Sequence, residues 1–465
     1  MGRIEDIERF FNVNSIAILG ASRSPNKFGN VFLRAYQFSK FEGKIYPINP
    51  NADEINNIKA YPDIHSVPDK IDLAIISTHP KEVLKLVREI VDKGTRSIII
   101  FSAGFGELGE EGKKKEEELR NIIKGKASII GPNCIGIYVP SKRLSFFPGI
   151  PLSEGPIAFV SQSGFICATI SRWGALRGIG FSKVISLGNS VDLTITDFLE
   201  YFGSDPETQI ISMYIEGIKD GPRFIKLLSD ISKKKPIIIW KTGITEMGHK
   251  VISSHTGSIG GSKEIWEGII QQFCLAPVSS IEEILDLYQV FGNLKHFINC
   301  NQKICLVASQ GGLISNATDI LVNIGLKLVE LSKETIEKLK KIIPDYGTNV
   351  VYNMPIDISI AAALDPSLYV RVADIVFEDP NVDILVILGA MEITNDFGKS
   401  ILKLKKKYNK NIILVQPVIP DRFSKIELKL RKNGVLVFYT FNNAARALKY
   451  LFKYINYIKK FNISD

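Results

Sequence analysis

Short apolar segments recur along this sequence, and each of them ends in glycine, serine or another residue typical of turns. Segments of helical character, such as PKEVLKLVREIVDKG, lie between the apolar ones. A chain that alternates strand and helix in this way folds into parallel sheets with right-handed crossover connections. The pattern therefore predicts a doubly wound α/β protein, in which ligands collect at the carboxyl ends of the strands.

The alternating pattern falls into three consecutive modules. At 465 residues the chain is too long for a single hydrophobic core. A connector rich in Pro, Gly and Ser, PSKRLSFFPGIPLSEG, follows the first module, and the helical segment SSIEEILDLYQVFG is expected to close the second. We expect domains at residues 1–140, 152–293 and 300–465, with an amphipathic helix at the end of the third and no sequence repeat of fixed period.

The charges and the cysteines disfavour several functional classes. The net charge is +9, but basic residues are mixed with acidic ones instead of being striped between aromatic residues, which disfavours nucleic acid and suits an anionic small ligand or an acidic partner. No apolar run reaches the ~20 residues of a membrane span, and MGRIEDIERFF is not expected to act as a signal peptide. Five scattered cysteines indicate neither disulfides nor a metal site. We expect a cytoplasmic protein with no bound metal and no membrane contact.

The loop LGASRSPNKFG follows the first strand and is a candidate cradle for a phosphate group at the start of a helix. Its glycines, Gly20 and Gly29, do not have the GxGxxG spacing, and the second strand ends in Asn49 and Pro50 instead of an acidic residue for a ribose. These features disfavour a nicotinamide dinucleotide. On the loop alone, a packing turn explains the residues equally well.

A second strand-to-helix turn, FVSQSGF, offers unpaired backbone N–H groups and two hydroxyl groups, which together would hold an oxyanion. A serine that caps the helix is the plain alternative. The strand segment MYIEG ends in Glu216, and a carboxylate at this end of an open sheet faces the ligand crevice. Alone, such a glutamate is better explained by a structural role, whereas a glutamate paired with His255 is better explained by catalysis.

The stretch VISSHTGSIGG places His255 among serine, threonine and glycine residues. Backbone or ligand can approach such a loop closely, whereas His249 has bulky and charged neighbours. A carboxylate that holds one ring nitrogen leaves the other as a nucleophile, and a flexible glycine loop would let a phosphorylated histidine move between sites. His255 is therefore the candidate catalytic residue, with a polar loop residue as the plain alternative. The histidines expected to be structural or on the surface are His65, His79 and His296.

Together, the motifs LGASRSP, YPINP, FSAGFGELG, GPNCIG, VSQSG, SLGN, YIEG and SHTGSIGG resemble, in order and spacing, the α subunit of nucleoside-diphosphate-forming acyl-CoA synthetases, which are related to succinyl-CoA synthetase. The resemblance extends over essentially the whole chain. It implies a CoA-binding Rossmann-like domain and two flavodoxin-like ligase domains. The implied reaction is acyl-CoA + phosphate + ADP ⇌ acid + CoA + ATP.

The resemblance also implies roles for individual residues. His255 would become phosphorylated, and Glu216 would support the phosphohistidine. The residues implied to hold the phosphate are Ser161, Gln162, Ser163 and Gly164. The residues implied to contact or surround CoA are Gly20, Ala21, Ser22, Arg23, Lys27, Asn49, Pro50, Phe101, Ser102, Ala103 and Asn133.

The sequence contains no Walker motif and no ATP-grasp-like region. The resemblance therefore implies a separate ATP-grasp β subunit that binds ADP or ATP with Mg²⁺, in an α2β2 assembly. Two stretches of the third module, Asn353–Asp357 and ASQGGLISNATD, depart from the family's pattern and bear on subunit contacts or acyl specificity.

Two other functions remain open. A non-catalytic subunit that responds to CoA or acyl-CoA is the first, although intact SHTG, YIEG and SQSG motifs favour an enzyme. A nicotinamide dehydrogenase is the second, and the first loop disfavours it. The acid itself is not specified, since pockets for related acids differ by only ~1–3 kcal/mol per methylene.

Overall fold

The computed structural model describes residues 3–248, 250, 262–344, 350–359, 361–389, 393–416 and 425–462. The chain divides into two compact units, Met1–Ser280 and Ile281–Asp465. Among the described residues, the first unit contains two large sheets and a small hairpin, and the second unit contains one large sheet. The helix Ile281–Gly292, which was expected to close the second module, lies in the second unit.

The first sheet has the strand order β2-β1-β5-β6-β7, and all its pairings are parallel. Its strands and the hairpin β3–β4 are β1 (Ser15–Leu19), β2 (Lys44–Ile48), β3 (Glu54–Ile55), β4 (Ile58–Lys59), β5 (Leu73–Ile76), β6 (Ser97–Ile100) and β7 (Ser128–Ile130). The helices are Arg3–Glu8, Phe28–Phe38, Pro80–Asp92 and Glu110–Ile123. The central strands β1, β5 and β6 are buried along their whole length, as expected where helices cover both faces of a parallel sheet.

The second sheet has the order β13-β12-β11-β9-β10-β8. The strands are β8 (Gly136–Tyr138), β9 (Glu154–Ser161), β10 (Phe181–Ser186), β11 (Ile210–Ile215), β12 (Ile237–Lys241) and β13 (Ala276–Pro277). The helices described here are Gly164–Leu176, Ile195–Ser204, Gly221–Ile231 and Lys263–Gln272. The edge strand β8 runs antiparallel to β10 and precedes the connector, so the chain enters the second sheet before residue 140.

The third sheet, in the second unit, has the order β15-β14-β16-β17-β18 and is parallel throughout. The strands are β14 (Ile304–Ala308), β15 (Ile356–Asp357), β16 (Ile384–Leu388), β17 (Asn411–Val415) and β18 (Leu436–Phe438). The helices are Ile281–Gly292, Leu294–Phe297, Gly311–Asn323, Lys333–Ile342, Ala361–Leu364, Leu368–Glu378, Asn395–Tyr408, Lys425–Lys432 and Phe441–Asn462. The last of these confirms the amphipathic helix expected from the sequence.

The large sheets share one topology. Apart from the edge strand β8, each follows the order 2-1-3-4-5 of a doubly wound fold. The predicted α/β class is therefore confirmed, while the domain boundaries stay predictions. In such a sheet the direction of winding reverses between the first and third strands, and their carboxyl ends open a crevice. The first unit has two such crevices, after β1 and β5 and after β9 and β11.

No helix in the described part of the chain is both long and apolar enough to cross a bilayer. The described residues also contain no group of three or more His, Cys, Asp or Glu side chains that would hold a metal ion. All five cysteines lie within the described ranges and are free. Burial raises the pKa of Cys134 to about 12, which opposes a role as a nucleophile.

Candidate functional site

A cavity of about 1160 Å³ opens at the carboxyl ends of β1 and β5. The loops that follow β1, β2, β5 and β6 form its walls. Nine residues that the sequence assigned to CoA line it, namely Gly20, Ala21, Ser22, Lys27, Asn49, Pro50, Phe101, Ser102 and Ala103. The strand order explains this convergence, because β2, β5 and β6 all end at the same edge as β1.

Two residues assigned to CoA are not among the described residues that line the cavity. Arg23 donates from Nε to the carbonyl oxygen of Glu54 at 3.3 Å. Asn133 donates from Nδ2 to Oδ1 of Asn189 at 3.4 Å. Both side chains therefore use these nitrogen atoms for hydrogen bonds within the protein.

The loop after β1 is held tightly against the start of the next helix. Gly20 has a φ of +88°, a conformation that favours glycine. A Cβ atom at Gly29 would lie 2.0 Å from the carbonyl oxygen of Gly20. Asn49 Nδ2 donates to the carbonyl oxygen of Ala21 at 2.7 Å and joins this loop to the end of β2. The loop is thus a packing turn that also forms a wall of the cavity.

The cavity has an aromatic side and charged groups of both signs. The rings of Phe28 and Phe101 have centroids 4.2 Å apart, and Phe28 is 42% exposed. Lys27 and Lys85 supply positive charge, and Lys85 Nζ forms an ion pair with Glu89 of the same wall at 3.8 Å. Apolar walls with a few polar groups are typical of sites for organic cofactors.

The loop after β5 also lines the cavity, and no sequence motif had assigned it to CoA. Ser77, Thr78 and His79 line the cavity, although His79 was expected to be structural. Its Nδ1 accepts a hydrogen bond from the backbone N–H of Lys81 at 3.3 Å and caps the helix Pro80–Asp92, which agrees with that structural role. The turn that ends the segment DLAIIS could have indicated this loop as part of the site. In this topology the first and third strands are neighbours, so the loops that follow them meet.

The second crevice brings Gln162 and Glu216 together. Gln162 follows β9, and its Oε1 accepts hydrogen bonds from the backbone N–H groups of Glu216 at 2.7 Å and Gly217 at 3.1 Å. Ser161 is fully buried, and its Oγ accepts from the N–H of Ser163 at 2.9 Å. Two of the sequence motifs thus form one structure, in which a side-chain amide joins the ends of two adjacent strands.

The helix that starts at Gly164 has an uncapped first turn. Ser163 occupies the N-cap position, but within the described chain its side chain makes no capping hydrogen bond. The structure therefore does not show the hydrogen bond by which a serine would cap this helix. The first N–H groups of a helix have no acceptor within the helix, and the helix dipole favours an anion there. This turn can hold a phosphate group.

The segment that leaves β7 contacts both crevices, and at the first the N–H of Asn133 donates to the carbonyl oxygen of Ser102 at 3.1 Å. A Cβ atom at Gly164 would lie 3.0 Å from Cγ2 of Ile135, and the N–H of Ile135 donates to Ser186 Oγ at 3.2 Å. Nearby, Asn189 Nδ2 donates to Glu107 at 2.5 Å and to Glu116 at 3.0 Å. The segments GPNCIG and SLGN therefore fix the first sheet to the second.

His255 and the stretch 251–261 lie outside the described residues, as does His249. The assignment of His255 as the phosphorylated residue stays a prediction, and so does its pairing with Glu216.

Replacement of Gln162 by Ala tests the bridge between β9 and β11. Gln162→Ala is expected to destabilise this edge of the sheet by about 1–3 kcal/mol, since two backbone N–H groups lose their acceptor. Hydrogen exchange at the amides of Glu216 and Gly217 measures the effect, and both should exchange faster. Gln162→Glu keeps an acceptor oxygen and should keep most of the protection. Equal exchange in wild type and Gln162→Ala would contradict the bridge.

Comparison with known proteins agrees with the architecture. A family model described as a CoA binding domain matches residues 14–140. A second, described as the succinyl-CoA ligase like flavodoxin domain, matches residues 154–291. The order of a CoA-binding and a flavodoxin-like domain is the order predicted from the sequence.

The similarity to known proteins extends over nearly the whole chain. The α subunit of ADP-forming acetate–CoA ligase II from Pyrococcus furiosus is 36% identical over 439 residues, which are 92% of this chain and 93% of that protein. The ADP-forming acetate–CoA ligase of Methanocaldococcus jannaschii is 37% identical over 97% of this chain, but this chain covers only 64% of that protein. The structure of Candidatus Korarchaeum cryptofilum dinucleotide-forming acetyl-coenzyme A synthetase 1 in complex with phosphate and ADP is 31% identical, with a TM-score of 0.85 and 98% of each chain covered.

Proposed function

This chain belongs to the family of ADP-forming acetate–CoA ligases, and from that membership we propose that it is the α subunit of an ADP-forming acyl-CoA synthetase. It would interconvert acyl-CoA, phosphate and ADP with a carboxylic acid, CoA and ATP. The observation that carries the proposal is the 36% identity to an α subunit over 93% of that subunit's length. The two crevices of the first unit supply a place for each half of the chemistry.

In this proposal CoA occupies the cavity after β1 and β5. Backbone N–H groups of the loop and Lys27 would contact its phosphates, and the exposed ring of Phe28 offers a surface for the adenine base. Phosphate attacks the thioester carbon, the C–S bond breaks, and CoA leaves as the thiol. The product is an acyl phosphate. The acyl phosphate would pass along the segment between β7 and β8, which contacts Ser102 in the wall of the first crevice and Gly164 at the second.

The second half takes place at the helix that begins at Gly164. The N–H groups of its first turn and Ser163 would hold the phosphoryl group, and the positive end of the helix would stabilise its charge. A ring nitrogen of His255 attacks phosphorus, the bond from phosphorus to the acyl oxygen breaks, and the carboxylic acid leaves. Glu216 would hold the other ring nitrogen and fix the tautomer of the imidazole.

The phosphoryl group then passes from His255 to ADP. We propose that ADP and Mg²⁺ are bound by an ATP-grasp β subunit and that the enzyme is an α2β2 heterotetramer. The match to two Pyrococcus furiosus proteins that are named as α subunits supports a separate partner.

The test is the complete reaction. The chain is mixed with a co-expressed candidate ATP-grasp subunit, and CoA release from acetyl-CoA and several other acyl-CoAs is followed with a thiol reagent. Release that requires phosphate, ADP and both polypeptides is the expected result. Binding of acyl-CoA without any turnover would overturn the proposal and favour a subunit that only responds to CoA.

A further inference from the structure

We infer that Lys241 is a positioning residue of the phosphate-transfer crevice, where its ammonium group holds the backbone at Glu216 and supplies positive charge for an incoming phosphate. The inference rests on the proposed function, because it names a further residue of the same site. The neighbouring contacts, the surroundings of the ammonium group and the balance of charge each support it.

Lys241 lies at the edge of the sheet where the crevice opens. It is the last residue of β12 and pairs in register with Ile215, the last residue of β11. Lys241 Nζ donates to the carbonyl oxygen of Glu216 at 3.0 Å, and also to the carbonyl oxygen of Thr242. Glu216 is thus held from both sides, since Gln162 accepts from its N–H group and Lys241 donates to its carbonyl oxygen.

In the part of the chain that the structure describes, no carboxylate contacts the ammonium group of Lys241. Lys241 is half-buried, and its Nζ lies 5.5 Å from the centre of the Trp266 ring. Among the described residues it forms no ion pair, so its acceptors are two neutral carbonyl groups. An ammonium group has three N–H donors, and a partly dehydrated cation that no carboxylate contacts is costly. An anion at the crevice would remove that cost.

The charge of the proposed reaction requires such a cation. A phosphate group carries up to two negative charges near neutral pH, and Glu216 adds a third at the same crevice. The first turn of the helix at Gly164 offers only a partial positive charge of roughly half a unit. A full positive charge on the neighbouring strand reduces the repulsion between phosphate and the Glu216 carboxylate.

The protonation state of Lys241 makes the inference testable by pH. Burial lowers the pKa of Lys241 to about 8, and the nearby Glu216 carboxylate partly opposes this shift. The other titratable group of β11 at this position is Tyr214, whose pKa burial raises, so it is neutral at pH 8. The helix Lys263–Gln272 faces the ammonium group with the uncharged Trp266 ring, and β13 carries no titratable residue. The positive charge is therefore present well below about pH 8 and is lost as the pH rises through that value.

Lys235 provides a matched control at the opposite end of β12. It is also half-buried, and its Nζ donates to two carbonyl oxygens, those of Phe202 and Asp205, each at 2.8 Å. Burial lowers its pKa as well. Lys235 lies before the start of β12, at the end away from the crevice, and its charged neighbours are Asp205 and Lys183 instead of Glu216.

The experiment measures acyl-CoA-dependent incorporation of phosphate into the full chain between pH 6.5 and 9.5, for wild type, Lys241→Arg, Lys241→Met and Lys235→Met. The wild-type rate should fall above about pH 8. Lys241→Arg should shift that fall upward by about one pH unit or more, since a guanidinium group stays charged. Lys241→Met should lower the rate about 30-fold or more with no fall above pH 8, and Lys235→Met should keep the wild-type profile. Identical profiles for the two Met variants would overturn the inference.

Failure of the proposed function is distinguished by a second measurement. If wild type incorporates no phosphate, binding of inorganic phosphate to the same four proteins is measured by calorimetry at pH 7. Binding by wild type, Lys241→Arg and Lys235→Met, but not by Lys241→Met, would support an anion site that includes Lys241. Equal binding by all four, or binding by none, would overturn it.

Discussion

His255→Asn is expected to abolish acyl-CoA-dependent phosphorylation of this chain, with a loss of rate on the order of 10³-fold or more. The asparagine side chain keeps a polar group but has no ring nitrogen that can form a P–N bond. Under the proposed mechanism the acyl phosphate then has no acceptor on this chain. Incubation with acetyl-CoA and radiolabelled phosphate measures the effect, and the wild-type label should be labile in acid and stable in base.

The matched control for this experiment is His249→Asn. His249 lies six residues earlier, among bulky and charged neighbours, and its replacement should leave the label unchanged. Both variants should bind acetyl-CoA like wild type, which would show that the CoA cavity is intact. A label that persists on His255→Asn would identify another nucleophile. A wild-type chain that binds acyl-CoA but takes no label, even with the ATP-grasp subunit, would favour the regulatory alternative.

The strands of the large sheets were largely predictable because each is a short apolar run with a turn residue at its end. Once β1 and β5 are neighbours in a doubly wound sheet, the loops that follow them must meet at one edge. For this reason nine residues assigned to CoA from their motifs line one cavity. The same reasoning places Gln162 beside Glu216, since β9 and β11 are the first and third parallel strands of their sheet.

The remaining contacts depend on side chains far apart in sequence, which local patterns do not encode. Gln162 and Glu216 are 54 residues apart, and neither motif indicates that a side-chain amide bridges them. Asn133 was assigned to CoA from its motif. Its Nδ2 donates to Asn189, which lies in the loop after β10 of the second sheet. The strand β8 has only three residues, too few for a periodic pattern. No sequence motif singled out Lys241, and its contact with Glu216 depends on the register between β11 and β12.

Gly29→Val is expected to weaken binding of acyl-CoA about 100-fold, equivalent to about 2.7 kcal/mol. The new Cβ atom would lie 2.0 Å from the carbonyl oxygen of Gly20 and 2.7 Å from its carbonyl carbon. Both contacts are with backbone, so no side chain can turn away to make room, and the loop after β1 must move out of its place in the cavity wall. Overpacking of this kind costs typically ~1–3 kcal/mol. Calorimetric titration with acetyl-CoA measures the loss.

Gly221→Val separates this effect from the general cost of a β-branched residue in a helix. Gly221 is also a glycine in the first turn of a helix, Gly221–Ile231, and no described atom lies within 4 Å of a Cβ atom added there. Because both variants carry the same helix-propensity cost, the difference between them reports the clash with Gly20. If Gly29→Val does not fold, Gly29→Ala introduces the same first carbon with less bulk and should still bind acetyl-CoA more weakly than Gly221→Val. Equal affinity in folded Gly29 and Gly221 variants would mean that CoA binds without this loop, and the role proposed for the cavity would fail.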